Sequence, residues 1–121
     1  MYERLAEVVG EIANKDEYIG ASGMSNIGMV IGGTNAEQTA AIREKYPNCW
    51  LLVPGYGSQG ATAADCVKLC KGDGTGALIS ASRSIIYAYE KPQYSQFEDN
   101  WEKAVEQAVI DAKIEISNAF K

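Results

Sequence analysis

The residues best equipped for chemistry lie in two short segments. Pro54-Gly55-Tyr56-Gly57-Ser58-Gln59-Gly60 holds three glycines among seven residues, with Gln59 between Ser58 and Gly60. Glycines let backbone amides approach an anion closely. Ser80-Ala81-Ser82-Arg83-Ser84 supplies small residues, hydroxyls and one guanidinium, a group suited to bidentate phosphate recognition. Each segment has a plainer reading: a glycine-rich strand-to-helix connection is common, and a surface Arg often sits in an ion pair. Taken together they point to an anion site, without identifying what is attached to the anion.

Each segment follows an apolar run. Trp50-Leu51-Leu52-Val53 precedes the first and Ala77-Leu78-Ile79-Ser80 runs into the second, both too short for helices and consistent with buried parallel strands. Gly28-Met29-Val30-Ile31-Gly32-Gly33 is a third strand of the same kind. Between them the period is helical. Leu5, Val8, Val9 and Ile12 mark one apolar helix face in Tyr2 to Asn14, and a second helix runs through Ile42 to Lys45, opened by a Thr34/Glu37 capping pair and ended by Pro47. Thr62 and Asp65 form a further capping pair. A last helix is expected from near Ser95, capped with Glu98, with a core face of Phe97, Trp101, Ala104, Val105, Ala108, Val109, Ala112 and Ile116.

The order helix, then β-α-β-α-β-α, implies parallel strands joined by right-handed crossovers. Three strands do not close a barrel, and the eight-strand (β/α)8 form takes about 250 residues. A chain of 121 residues therefore suits the C-terminal part of a (β/α)8 TIM-type barrel, with an open doubly wound sheet as the alternative. No linker, repeat or low-complexity tract divides residues 1–121, which read as one partial domain. In either architecture ligands gather at the C-terminal strand ends, and adjacent loops after the last two barrel strands form the usual phosphate site.

Composition narrows the partners. With 46% hydrophobic and 22% charged residues the balance is that of an ordinary globular domain, while a net charge of −5 disfavours nucleic acid and anionic membrane surfaces. No apolar run approaches the ~20 residues of a membrane span, and the acidic N-terminus is unlike a signal peptide, so a cytoplasmic location is expected. Three cysteines and no histidine offer neither a paired disulfide framework nor a metal-ligand set. Cys66 and Cys70, four apart on one helical face, read as buried core thiols.

At this point the chain resembles a known family. Ile31-Gly32-Gly33-Thr34, Ile42-Arg43-Glu44 with Pro47, Leu52-Val53-Pro54-Gly55-Tyr56-Gly57-Ser58-Gln59-Gly60 and Ser82-Arg83-Ser84-Ile85-Ile86-Tyr87-Ala88 follow the order found in the longer bacterial orotidine 5′-phosphate decarboxylases. The resemblance covers nearly the whole chain, and the two loop motifs at this spacing are far more diagnostic than either glycine run. It implies that Gln59 grips the substrate phosphate after strand seven and Arg83 pairs with it after strand eight, with the amides of Ser82 and Arg83 completing the pocket. Pro54 would lie against the pyrimidine, while Gly57, Ser58 and Gly60 shape the closing loop. Small residues depart from the pattern at Gly33, Ser58 and Ser80-Ala81, the last replacing an Asn beside the phosphate.

The resemblance also implies a cofactor-free decarboxylation of orotidine 5′-phosphate to uridine 5′-monophosphate by a homodimer. Its catalytic Asp-x-Lys-x-x-Asp motif and a further Lys belong to the N-terminal half, and this chain holds no such strand. Asp111-Ala112-Lys113 echoes the motif inside the last helix, where it reads as a solvated face. Catalytic residues are therefore expected elsewhere, and the chain is expected to be inactive alone. Two other readings keep the elements and change the role: a non-catalytic, self-associating half-barrel or phosphate-binding module, and a related sugar-phosphate barrel enzyme.

Overall fold

A computed structural model describes residues 2–32, 36–97 and 99–121. Three short strands, β1 (Gly28–Val30), β2 (Trp50–Val53) and β3 (Ala77–Ile79), form one parallel sheet in the order β1-β2-β3. Helix α1 (Tyr2–Ala13) precedes the sheet, α2 (Ala36–Lys45) joins β1 to β2, and α3 (Ala63–Val67) joins β2 to β3. After β3 come a one-turn helix α4 (Arg83–Ile86), 3-10 turns over Ala88–Glu90 and Pro92–Phe97, and the long α5 (Trp101–Ala119).

The alternation of side chains gives the sheet two unlike faces. Leu51 and Val53 of β2 are fully buried, and Met29, Ala77 and Ile79 lie with them against a core that includes Ile42, Tyr46, Cys49, Cys66 and Leu69. On the opposite face Val30 pairs in register with Leu52, and Leu52 with Leu78. That apolar row crosses all three strands yet is 67%, 39% and 57% exposed. Parallel sheets are normally covered on both sides. This sheet is covered on one, as an arc of a barrel wall is when its interior is left open.

The helices expected from sequence form, but two present different faces from those expected. In α1 the buried residues are Ala6, Gly10 and Ala13, whereas Leu5, Val8 and Ile12 stay exposed. Gly10 explains the rotation: a Cβ there would lie 2.5 Å from the Tyr46 ring, so the helix packs through its smallest residue. Leu5 and Val9 instead line a groove of about 550 Å³ with Val30 and Ile42. In α5, Ala104 and Ala108 are buried and Ala112 and Ile116 pack on the core, while Trp101 and Val109 point outward.

The start of α5 also differs. Asn100, not Ser95, caps it, its side chain accepting the Lys103 N–H at 3.0 Å, and Ser95 sits in the preceding 3-10 turn. Asn is as strong a cap as Ser, and the chain spends 92–97 on the tighter turn. Glu98, Gly33 and Thr34, named in expected motifs, lie outside the described residues. The Thr62/Asp65 capping box is present in both directions, with Thr62 Oγ1 accepting the Asp65 N–H at 3.2 Å and Asp65 Oδ2 accepting the Thr62 N–H at 3.1 Å. Because α3 ends at Val67, Cys70 falls beyond it and is only half-buried, unlike Cys49 and Cys66.

One buried cation organises the end of the sheet where the strands begin. Arg43, 5% exposed, donates from Nε to Leu69 O at 2.8 Å, from Nη1 to Cys49 O at 2.8 Å and Pro47 O at 3.1 Å, and from Nη2 to Gly76 O at 2.6 Å. These carbonyls lie just before β2 and β3 and at the end of the α3 turn. The guanidinium thereby fixes where two strands enter the sheet, at the opposite end from the glycine-rich loop.

Candidate functional site

The two chemically endowed segments lie side by side because β2 and β3 are adjacent and parallel. Ser80 donates its N–H to Val53 O at 2.9 Å, which carries the ladder one step past β3 and holds the two strand ends level. Beyond Val53 the chain turns back on itself. Gln59 and Ala61 both donate to Gly55 O at 3.3 Å, Gly57 donates to Ala61 O at 3.1 Å, and Ser58 donates to Tyr56 O at 3.0 Å. Gly55, Gly57 and Gly60 take φ of 97°, 76° and 90°, which glycine adopts at little cost.

The result is a loop with a buried base and a solvated tip. Tyr56 and Ala61 are buried at the base, Pro54 is half-buried, and Gly57, Ser58, Gln59 and Gly60 are exposed. The Gln59 side chain curls over the loop, its Oε1 within 3.2 Å of where a Gly55 Cβ would be. On the neighbouring segment Ser82 and Arg83 are exposed. The loops touch at Gly57, where an added Cβ would sit 3.2 Å from Ser84 Cβ. Gln59 and Arg83 are thus on adjacent exposed edges, with no hydrogen bond between them.

Arg83 has no carboxylate partner among the described residues, where the ion pairs are Lys45–Glu7 at 3.0 Å and Lys71–Asp73 at 3.7 Å. The plain reading of Arg83 as half of a surface ion pair is therefore not what the structure contains. A second cation is close by: Lys91 donates from Nζ to Ser84 O at 3.0 Å. No group of three or more His, Cys, Asp or Glu arranged to hold a metal ion occurs among the described residues.

Behind the loops lies a cavity of about 340 Å³ lined by Tyr56, Gly57, Ser84, Lys91, Tyr94 and Asp111, among others. Ser84 Oγ is buried there without a hydrogen-bond partner. Sequence reasoning missed what α5 contributes to this wall. Asp111 accepts from the Tyr94 hydroxyl at 3.0 Å and from Gln107 Nε2 at 2.8 Å, and Glu115 accepts from the Tyr56 hydroxyl. The carboxylates, expected to be a solvated face, are exposed but engaged. Burial, and after it the Glu115 carboxylate, pushes the Tyr56 phenol well above its ordinary pKa, so it stays a donor. Their i, i+4 spacing was the available signal; the tyrosines they meet were not visible in it.

With this geometry in hand, known proteins bear on it directly. No family model matches the chain. Curated relatives do: an orotidine 5′-phosphate decarboxylase of Petrotoga mobilis is 39% identical over 118 residues, covering 96% of this chain and 40% of the relative. Those of Rhodopirellula baltica and Clostridium acetobutylicum are 38% and 34% identical, over 91% and 100% of this chain and 36% and 39% of the relatives.

Among solved structures, a Leishmania donovani OMP decarboxylase superposes with a TM-score of 0.64 at 26% identity, covering 98% of this chain and 38% of that one. A Leishmania donovani UMP synthase gives a TM-score of 0.58 at 30% identity, over 85% of this chain and 21% of that one. The chain spans about two fifths of the length of the curated relatives it matches. The bare inner row of the sheet, the parallel topology and 34–39% identity over nearly the whole chain agree: this chain is a homologue of the C-terminal part of orotidine 5′-phosphate decarboxylase barrels.

Proposed function

We propose that residues 1–121 form a partial domain that supplies the substrate-phosphate grip of an orotidine 5′-phosphate decarboxylase, the enzyme that yields uridine 5′-monophosphate and carbon dioxide. The observation that carries this reading is the contact of two strand-end loops at Gly57 and Ser84, with Gln59 exposed on one and an uncommitted Arg83 on the other. An exposed guanidinium without a carboxylate is available to a phosphate dianion in the bidentate geometry that suits it. Gln59 and the amides of Ser82 and Arg83 complete the grip, Pro54 borders the base, and Gly57, Ser58 and Gly60 let the loop close.

Phosphate binding serves the chemistry from a distance. Interactions with a remote, non-reacting group can close loops and organise the reacting centre, which lowers the barrier to loss of carbon dioxide. The groups that act on the pyrimidine, the Asp-x-Lys-x-x-Asp motif and an upstream Lys, belong to the preceding part of the barrel, so this chain by itself is inactive. The complete enzyme works as a cytoplasmic homodimer without a cofactor. Among the described residues no helix is long and apolar enough to cross a membrane.

Calorimetric titration with uridine 5′-monophosphate, of the chain and of its Arg83→Ala variant, tests the grip. Binding that weakens by about tenfold or more in the variant supports it. Equal binding by both removes Arg83 from the phosphate site. A second reading is favoured by the exposed row Val30, Leu52 and Leu78: two copies of a half-barrel cover each other's open faces. Sedimentation that gives a stable dimer of the 121-residue chain supports it, and a monomer dismisses it.

A further inference from the structure

We infer that Tyr56 and Glu115 are positioning residues, a tether through which the terminal helix α5 sets the gap between the two phosphate-gripping loops. The inference rests on the reading of Gln59 and Arg83 given above. The tip of the glycine-rich loop holds itself by backbone bonds alone, and three of its residues are glycines at positive φ. The side chains of Ser58 and Gln59 at the tip are exposed and, among the described residues, form no hydrogen bond that would fix its position against the neighbouring loop. Tyr56 is the loop's buried side chain, and its hydroxyl reaches Glu115, 59 residues away.

The far end of the tether is firm. α5 is anchored through Ala104 and Ala108, and Ala112 and Ile116 on either side of Glu115 pack on the core. The near end is sensitive, because the residue after Tyr56 is Gly57, which packs so closely on Ser84 that an added Cβ would lie 3.2 Å from Ser84 Cβ. On the other side of that contact Lys91 holds the Ser84 carbonyl. A shift of the Tyr56 ring is therefore passed through Gly57 to Ser84, one residue from Arg83. A phosphate held by both loops senses that gap, whereas a ligand without a phosphate does not.

The test is titration of the full chain with uridine 5′-monophosphate and, separately, with uridine, for Tyr56→Phe, Glu115→Ala, Glu115→Gln and the control Arg83→Ala. Tyr56→Phe and Glu115→Ala are expected to weaken nucleotide binding by about tenfold, the size of one hydrogen bond to a charged group. Uridine affinity is expected to match the unaltered protein. Glu115→Gln, whose amide oxygen still accepts the phenol O–H, is expected to restore nucleotide binding, a rescue that mere loss of stability does not predict. Should Tyr56→Phe not fold, Glu115→Ala at its exposed helical position carries the measurement. If Arg83→Ala weakens nucleotide binding while Glu115→Ala and Tyr56→Phe do not, the tether is overturned and the phosphate site stands. If Arg83→Ala has no effect, or the unaltered chain binds no nucleotide, both fall together.

Discussion

Replacing Arg43 by Met keeps a long apolar side chain and deletes the guanidinium donors from a buried junction. The guanidinium bonds Leu69 O, Cys49 O and Gly76 O at 2.8 Å or less. Gly76 O also receives the Leu51 N–H at 3.0 Å, so it keeps a donor in the variant. Leu69 O and Cys49 O bear most of the loss, at about 1–3 kcal/mol for each buried polar group left unsatisfied. Against that stands relief of a buried cation, whose desolvation already lowers the Arg43 pKa. The net expected loss is about 3 kcal/mol, a fall in melting temperature on the order of 10–15 °C for a domain of this size. Urea unfolding followed by the fluorescence of Trp50, at the start of β2, reads it directly. Arg43→Lys, with one ammonium for a fork of donors, is expected to lose less. An Arg43→Met variant within about 1 kcal/mol of the unaltered protein would refute the view that this side chain fixes the strand entries. Because Arg43 lies at the opposite end of the strands from the loops, uridine 5′-monophosphate affinity measured well below the transition is expected to be unchanged.

Other perturbations follow the same physical lines. Gly10→Ala adds a carbon 2.5 Å from a Tyr46 ring that is itself buried, so overpacking of about 1–3 kcal/mol is expected to outweigh the helix-propensity gain, and urea unfolding that shows a more stable variant would contradict this packing. Asn100→Ala removes the cap of α5 and is expected to cost about 1 kcal/mol, with faster hydrogen exchange confined to the helix's first turn. Burial raises the Cys66 thiol to about 11, above its value in the unfolded chain. The unfolded state then releases this proton first as pH rises, so stability present below about pH 8.5 is expected to fall between there and about pH 11. Cys66→Ala compared with the parent in alkaline denaturation checks the sign: a slope over that window unchanged by the substitution argues against it.

What could be read from the residues alone was whatever short-range chemistry decides. Trp50-Leu51-Leu52-Val53 is an apolar run too short for a helix, and Pro47 ends the helix before it, so strand β2 lies where the pattern put it, though only its Leu51 and Val53 face is buried. The Thr62/Asp65 box is complete within four residues and formed as expected. Placement of the glycine-rich loop and of Ser82-Arg83 after neighbouring strands followed from the same local signals, and with it the candidate site.

Only the tertiary structure decided which faces meet. The apolar spacing of Leu5, Val8 and Ile12 specified a helix but not its rotation, which the fit of Gly10 against Tyr46 settled. Arg43 gathers carbonyls 26 and 33 residues away, and Tyr56 finds Glu115 at a separation of 59, distances over which no periodicity carries information. Asn100 won the cap of α5 from Ser95 because Ser95 lies within the 3-10 segment Pro92–Phe97 that precedes the helix. Alternation predicts that Val30, Leu52 and Leu78 share a face; that this face stays bare follows from three strands forming an arc of wall, because burying an apolar surface takes a second surface to meet it.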